Sequence, residues 1–247
     1  MSNLWQSFEK NTGKYCYFIP INNFDYSVNI SLKYNYLYTE TPKNGCSTIK
    51  SILQRLEIND PEFYRKDLED IHNRNFSPLL KPSQVGDLDR FILKQKPFKF
   101  CISRNPYSRL LSAYLDKISS NCPQKRNILL HLGKDVSRID QIISFEEFIY
   151  AVSEQPIANM DPHWRTQYYQ TFQHAINYDF IGKFENFTND LNHILSKVTD
   201  DYNRFITTEN RHARGANDLL TEFYTPKLKE IVREKFAIDF DYFGYES

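Results

Sequence analysis

Two short runs of residues hold the chemistry in this chain. The first is Pro42-Lys43-Asn44-Gly45-Cys46-Ser47-Thr48. Pro42 turns Thr41 away from helical space, Gly45 permits a backbone that side chains forbid, and either Ser47 or Thr48 is placed to cap a following helix. The amides of a helix start attract anions, and Lys43 adds a full positive charge. The second run is Arg104-Asn105-Pro106-Tyr107-Ser108-Arg109, followed by Ser112 eight positions after Arg104. Ser112 lies one turn into the following helix, on the same side as Arg109 and Ser108 by helical spacing, and an arginine fork with a serine hydroxyl is a phosphate grip. The alternative is that Arg104 pairs with a carboxylate and Ser112 packs as a small residue.

Each run needs a strand before it and a helix after it. Tyr34, Tyr36 and Tyr38 alternate with Asn35 and Leu37, a half-buried strand, and Ile49, Ile52, Leu53 and Leu56 form one helical stripe. Phe98, Phe100 and Ile102 alternate with Lys99, Cys101 and Ser103, and Leu110, Leu111, Tyr114, Leu115 and Ile118 give the next helix an apolar face. This is not the Walker A layout, in which the lysine follows the second glycine. Here Lys43 precedes Gly45, so a phosphate or sulfate ligand is expected without the usual ATPase arrangement.

Other candidates are single residues. His72, at the end of a charged segment from Pro61, follows the first strand–helix unit, where ligands gather in open α/β sheets. It reads either as a surface histidine or as a catalytic base. Asp161-Pro162-His163-Trp164-Arg165-Thr166-Gln167 places His163 as a satisfied histidine or as a lining residue of an acceptor site, with Trp164 a core anchor. Asn210-Arg211-His212-Ala213-Arg214-Gly215 is a basic loop, either solvated or closing over a ligand through Arg211 or Arg214.

Composition narrows the classes. The chain has 247 residues, 40% hydrophobic, enough for one sizeable α/β core, and it reads as a single domain over residues 1–247 with a polar lead-in over 1–31. Tyr15 to Ile19 could add an edge strand. Lys+Arg and Asp+Glu balance at 31 each, so no basic field points to nucleic acid or an anionic membrane. Four cysteines without CxxC spacing do not suggest a zinc site. No apolar stretch has signal-peptide or membrane-span character, and the expectation is a soluble, cytoplasmic protein.

Further elements follow in order. Ser144 and Glu147 form a capping box that starts a helix ending before Pro156. Tyr178 to Glu185 reads as a strand and Thr188 to Val198 as its helix, with Leu191, Ile194, Leu195 and Val198 inward and Glu185 a structural hydrogen-bonding residue. Thr225 caps a final helix with Pro226 at its first position.

Together the two runs resemble the sulfotransferases, in particular the carbohydrate sulfotransferase branch. PKNGCST is similar to the 5'-phosphosulfate loop of that family, and RNPYSRLLSAY to its 3'-phosphate motif, with Arg104 and Ser112 at the family's spacing. His-Trp-x-x-Gln at His163 and the aromatic ending at Asp239 to Tyr245 are similar too. The resemblance implies a three-layer α/β sandwich around a mainly parallel sheet, the P-loop-like sulfotransferase fold. It implies 3'-phosphoadenosine 5'-phosphosulfate (PAPS) as donor, with adenosine 3',5'-bisphosphate as product and a hydroxyl acceptor on a glycan or glycolipid. In that reading the loop Lys43, Asn44, Gly45, Cys46, Ser47 and Thr48 holds the 5' end. Arg104 and Ser112 hold the 3'-phosphate, joined by Arg211 or Arg214, and His72 is the base. Lys43 supplies the counter-charge, so no metal is expected. A nucleotide kinase or NTPase, and a non-catalytic nucleotide- or glycan-binding member, are the competing readings.

Overall fold

A computed structural model describes residues 13, 16, 19–63, 71–206 and 219–246. The chain divides into two compact units, one of residues 1–103 and 171–212, the other of 104–170 and 213–247. No helix of the described residues is long and apolar enough to cross a membrane.

The first unit is built on a four-stranded sheet in the order β1 (Val28–Ser31), β2 (Tyr36–Thr39), β3 (Phe98–Ser103), β4 (Phe180–Lys183). β1 is antiparallel to β2, and the other pairings are parallel, so the sheet is mainly parallel, as expected. Tyr36↔Phe98 and Phe100↔Phe180 set the register. On one face Tyr38 stacks on Phe100 with ring centroids 5.1 Å apart. Against these rings pack Ile49, Ile52, Leu53 and Leu56 of α2 (Cys46–Ile58), and Leu191, Ile194, Leu195 and Val198 of α6 (Phe187–Val198). The apolar stripes expected on both helices are therefore the stripes that are buried. On the other face Gln173 reaches the Cys101 thiol, and the Tyr178 hydroxyl donates to Thr39 Oγ1 at 2.7 Å.

The expected lead-in ends sooner than Ser31. Ile21–Ser27 is helix α1, and Val28–Ser31 is the antiparallel edge strand. Asn29 and Ser31 sit in that strand fully buried, which polar composition concealed. Asn29 Nδ2 donates to Ser27 O at 3.0 Å, and Ser31 Oγ accepts from Tyr34 N at 3.0 Å. The edge strand expected at Tyr15 to Ile19 falls largely outside the described residues.

The second unit is helical. It contains α3 (Pro106–Ala113), α4 (Lys125–His131), α5 (Phe145–Glu154), α7 (Pro226–Lys235) and α8 (Ala237–Phe243), with a short helical turn at Gln167–Gln170. The Ser144–Glu147 capping box forms, and Thr225 Oγ1 accepts from Leu228 N. Trp164 anchors the core: it is fully buried, edge-on to Phe148, and donates Nε1–H to Gln155 Oε1 at 3.0 Å.

One glycine is fixed by two constraints at once. Gly45 has φ +78°, and a Cβ there would overlap the Phe187 ring of α6. Gly133 shares the left-handed backbone, with φ +63°, but faces open space. Gly45→Ala should therefore cost about 2–3 kcal/mol in urea unfolding, against about 1 kcal/mol for Gly133→Ala. Equal losses would remove the packing argument.

Candidate functional site

The loop between β2 and α2 has the backbone of an anion site. Lys43 and Gly45 both take left-handed conformations, φ 74° and 78°, and Asn44 N closes a turn onto Thr41 O at 3.2 Å. Such strain in a residue with a Cβ tends to collect at functional positions. Asn44 is buried and donates Nδ2–H to Ile102 O at 2.8 Å, tying the loop to the carboxyl end of β3. Gly45, not a serine or threonine, is the N-cap of α2, and no side chain caps this helix. The expected cap by Ser47 or Thr48 is thus corrected. The helix starts at Cys46, so both hydroxyls lie inside its first turn, and the first-turn amides keep no capping side chain. Burial pushes the Cys46 thiol up to about 11, with Glu40 adding to the effect, so it stays a neutral wall of the loop. All four cysteines are free thiols.

His72 joins this loop. Its Nε2 lies 2.9 Å from Ser47 Oγ, and its Nδ1 lies 3.4 Å from Lys50 Nζ. Lys50 and Glu40 form an ion pair of 2.7 Å with side chains 0% and 3% exposed. The His72 segment is held from three sides. Gln54 Nε2 donates to Ile71 O at 2.8 Å, and the Tyr26 hydroxyl donates to His72 O at 3.3 Å. Arg74, buried, donates to Val28 O at 2.8 Å and Leu80 O at 3.0 Å. A cleft of about 480 Å³ opens beside it, lined by Tyr26, His72, Asn73, Arg74, Asn75 and Lys81.

Glu40, Lys50 and Arg74 were not among the sequence candidates. Lys50 carried the one available signal: it follows Ile49 and precedes Leu53 by three on the buried stripe, where a charge requires a partner.

In the second unit, Arg104 is buried and its Nε donates to Ser108 Oγ at 3.0 Å. Its backbone is clamped by one side chain. Gln167 Oε1 accepts from Arg104 N at 2.9 Å, and Gln167 Nε2 donates to Arg104 O at 2.7 Å. Gln167 is in turn set by Asp239, whose carboxylate accepts from Gln167 N at 2.7 Å and Tyr168 N at 2.9 Å. The serine on the Arg104 guanidinium is thus Ser108, and Ser112 lies one turn further, half-buried. Arg109, grouped with Ser112 by helical spacing, instead points both terminal nitrogens at the Arg165 and Pro162 carbonyls, at 2.7 and 2.8 Å. His163 Nδ1 meets Asp161 Oδ1 at 2.7 Å. Glu185 is exposed in the turn Phe184–Asn186. Arg211 and Arg214 lie outside the described residues. Among the described residues no group of three or more His, Cys, Asp or Glu could hold a metal ion.

A family model described as the sulfotransferase family matches residues 26–246. Carbohydrate sulfotransferase 14 of Mus musculus is 28% identical over 229 residues, which are 87% of this chain and 59% of that protein. Carbohydrate sulfotransferase 9 of Homo sapiens is 27% identical, over 85% of this chain and 49% of its own length. Carbohydrate sulfotransferase 11 of Mus musculus is 25% identical, over 85% and 64%. The chain spans about half to two thirds of the length of these curated relatives. No solved structure matches it significantly.

The clamp under Arg104 predicts a pH effect. Burial raises the Asp239 carboxyl to about 6, against the opposing pull of the Gln167 and Tyr168 amides. The folded pKa exceeds the unfolded value of about 3.9, so this group's stabilisation is complete below that value and is lost as pH rises toward 6. Between pH 4 and 6.5, chemical denaturation should show the parent losing on the order of 2 kcal/mol relative to Asp239→Asn. A difference that does not change with pH would contradict it.

Proposed function

We propose, from the premise that this chain belongs to the sulfotransferase family, that it moves a sulfuryl group from PAPS to a carbohydrate hydroxyl and releases adenosine 3',5'-bisphosphate. One observation carries the reading: a lysine-bearing, left-handed loop leads into the uncapped start of α2, with a histidine 2.9 Å from a first-turn serine. That loop suits the anionic 5' end of the donor. The carbohydrate acceptor comes from the names of the relatives, and a glycan or glycolipid hydroxyl is the class proposed.

Bound PAPS supplies the sulfuryl group through a loose, planar transition state, so catalysis is mostly positioning and charge stabilisation. Lys43 and the first-turn amides of α2 oppose the negative charge that grows on the departing 5'-phosphate. Asn44 keeps the loop seated on β3. Gly45 leaves the backbone close to the ligand, and Thr48 offers a hydroxyl in the first turn, while the Ser47 hydroxyl serves His72. Cys46 excludes water from behind. Arg104, with its backbone clamped by Gln167, and Ser112 receive the 3'-phosphate, with Arg211 or Arg214 as further candidates for nucleotide contact. His72 takes the proton of the acceptor hydroxyl, general-base work for which histidine is the usual side chain, and the acceptor enters by the cleft of Tyr26, Asn73 and Lys81. His163, held on Asp161, is a weaker candidate for acceptor contact.

Lys43→Ala should lower kcat by roughly a hundredfold. Adenosine 3',5'-bisphosphate at ~100 times its Kd should stabilise the protein by ~2.7 kcal/mol in a thermal-shift series, and ADP or ATP by much less. Stabilisation by ATP with Mg²⁺ alone would favour the kinase reading. Arg104→Ala should weaken adenosine 3',5'-bisphosphate far more than 5'-AMP, and equal losses would remove its 3'-phosphate role.

A further inference from the structure

In the first unit, four polar side chains form a chain of contacts whose third member is the proposed base. Glu40 Oε2 meets Lys50 Nζ at 2.7 Å, Lys50 Nζ meets His72 Nδ1 at 3.4 Å, and His72 Nε2 meets Ser47 Oγ at 2.9 Å. The Tyr26 ring covers Lys50 Nζ, with its centroid at 5.6 Å. An ammonium has three N–H donors and no lone pair. The imidazole nitrogen that faces it must therefore accept. Nδ1 then bears no proton, the proton of the neutral ring sits on Nε2, and Ser47 Oγ accepts it. Protonating Nδ1 would turn an N–H toward the Lys50 ammonium, which resists the change. Glu40 Oε2, 3.9 Å from Nδ1, favours it.

We infer that the buried Glu40–Lys50 pair is a positioning pair for His72: it fixes the Nε2–H tautomer, makes Nδ1 the atom that receives the proton, and sets the pH at which it does so. The proton-taking role rests on the sulfuryl-transfer reading, whereas the tautomer does not. In the step itself, the acceptor oxygen bonds to sulfur as the bond from sulfur to the 5'-phosphate oxygen breaks, and the hydroxyl proton passes to Nδ1. Lys50 yields its long contact with the ring and keeps Glu40. The resulting imidazolium keeps Nε2–H on Ser47 and has the Glu40 carboxylate beside it. Ser47 and Lys50 of α2, Glu40 after β2 and Tyr26 of α1 all face His72. Arg74 and Lys81 line the same cleft, and buried Cys46 is held as a neutral thiol.

The test is the nitrogen resonances of the His72 ring, followed through a pH titration of the full chain, beside the pH profile of sulfuryl transfer. The parent should show the Nε2–H tautomer. Lys50→Met removes the opposing ammonium and should raise the His72 pKa by about one unit, and Glu40→Gln removes the favouring carboxylate and should lower it by about as much. The acid limb of the rate profile should move with each. The double variant E40Q/K50M, which leaves no unpaired buried charge, should return the titration near that of the parent. If either single variant fails to fold, the parent tautomer and the double variant decide. An Nδ1–H ring in the parent, or shifts in the same direction in both single variants, overturns the inference. The expected titration without any sulfuryl transfer would leave the tautomer standing and sink the transfer reading and Nδ1's role with it.

Discussion

The ion pair between Glu40 and Lys50 organises the first unit around its loop. Glu40 leaves the carboxyl end of β2, Lys50 enters from the second turn of α2, and the loop bearing Lys43 runs between them. A buried pair of this kind does not by itself make a fold more stable than well-packed apolar residues would. Desolvation offsets most of the Coulomb attraction, and breaking one partner costs more than the pair contributes. Its value here is geometric. It closes the ends of the loop on one another, leaves the Ser47 hydroxyl to His72, and presents an ammonium to one side of that ring.

Around this clamp, several contacts hold a site in place without belonging to the phosphate motifs. Arg74 fastens the His72 segment to the edge strand, with two of its hydrogen bonds going to carbonyls of Val28 and Leu80. Burial lowers its pKa and the Glu40 carboxylate opposes that, so the acid that pairs with Lys50 also helps keep Arg74 charged. In the second unit Gln167 does for Arg104 what Asn44 does for the loop: a side-chain amide satisfies backbone groups and fixes where a cation begins. Asp239, far along the chain in α8, sets Gln167.

Much of this architecture was legible in sequence. The strand–turn–helix expected over Tyr34 to Leu56, whose strand begins at Tyr36, the strand at Phe98 to Ser103, the capping box at Ser144 and the cap at Thr225 are local signals, and local physics decides them. What escaped depended on distant residues. β1 was hidden because Asn29 and Ser31 look exposed and are buried, satisfied by neighbours. Ser47 and Thr48 both suit a cap by type, whereas Gly45 in a left-handed conformation starts the helix and leaves the Ser47 hydroxyl to His72. Helical spacing alone puts Arg109 beside Ser112, but two carbonyls in the Pro162–Arg165 turn claim it. Spacing names a face of a helix and does not name its neighbour.

The central claim is that this chain transfers a sulfuryl group and not a phosphoryl group. The most direct measurement is mass spectrometry of a panel of glycan acceptors after incubation with the protein and PAPS, in parallel with ATP and Mg²⁺. The account predicts an acceptor carrying one added sulfate with stoichiometric adenosine 3',5'-bisphosphate, and no product from ATP. An acceptor phosphorylated from ATP, with none sulfated from PAPS, would contradict it.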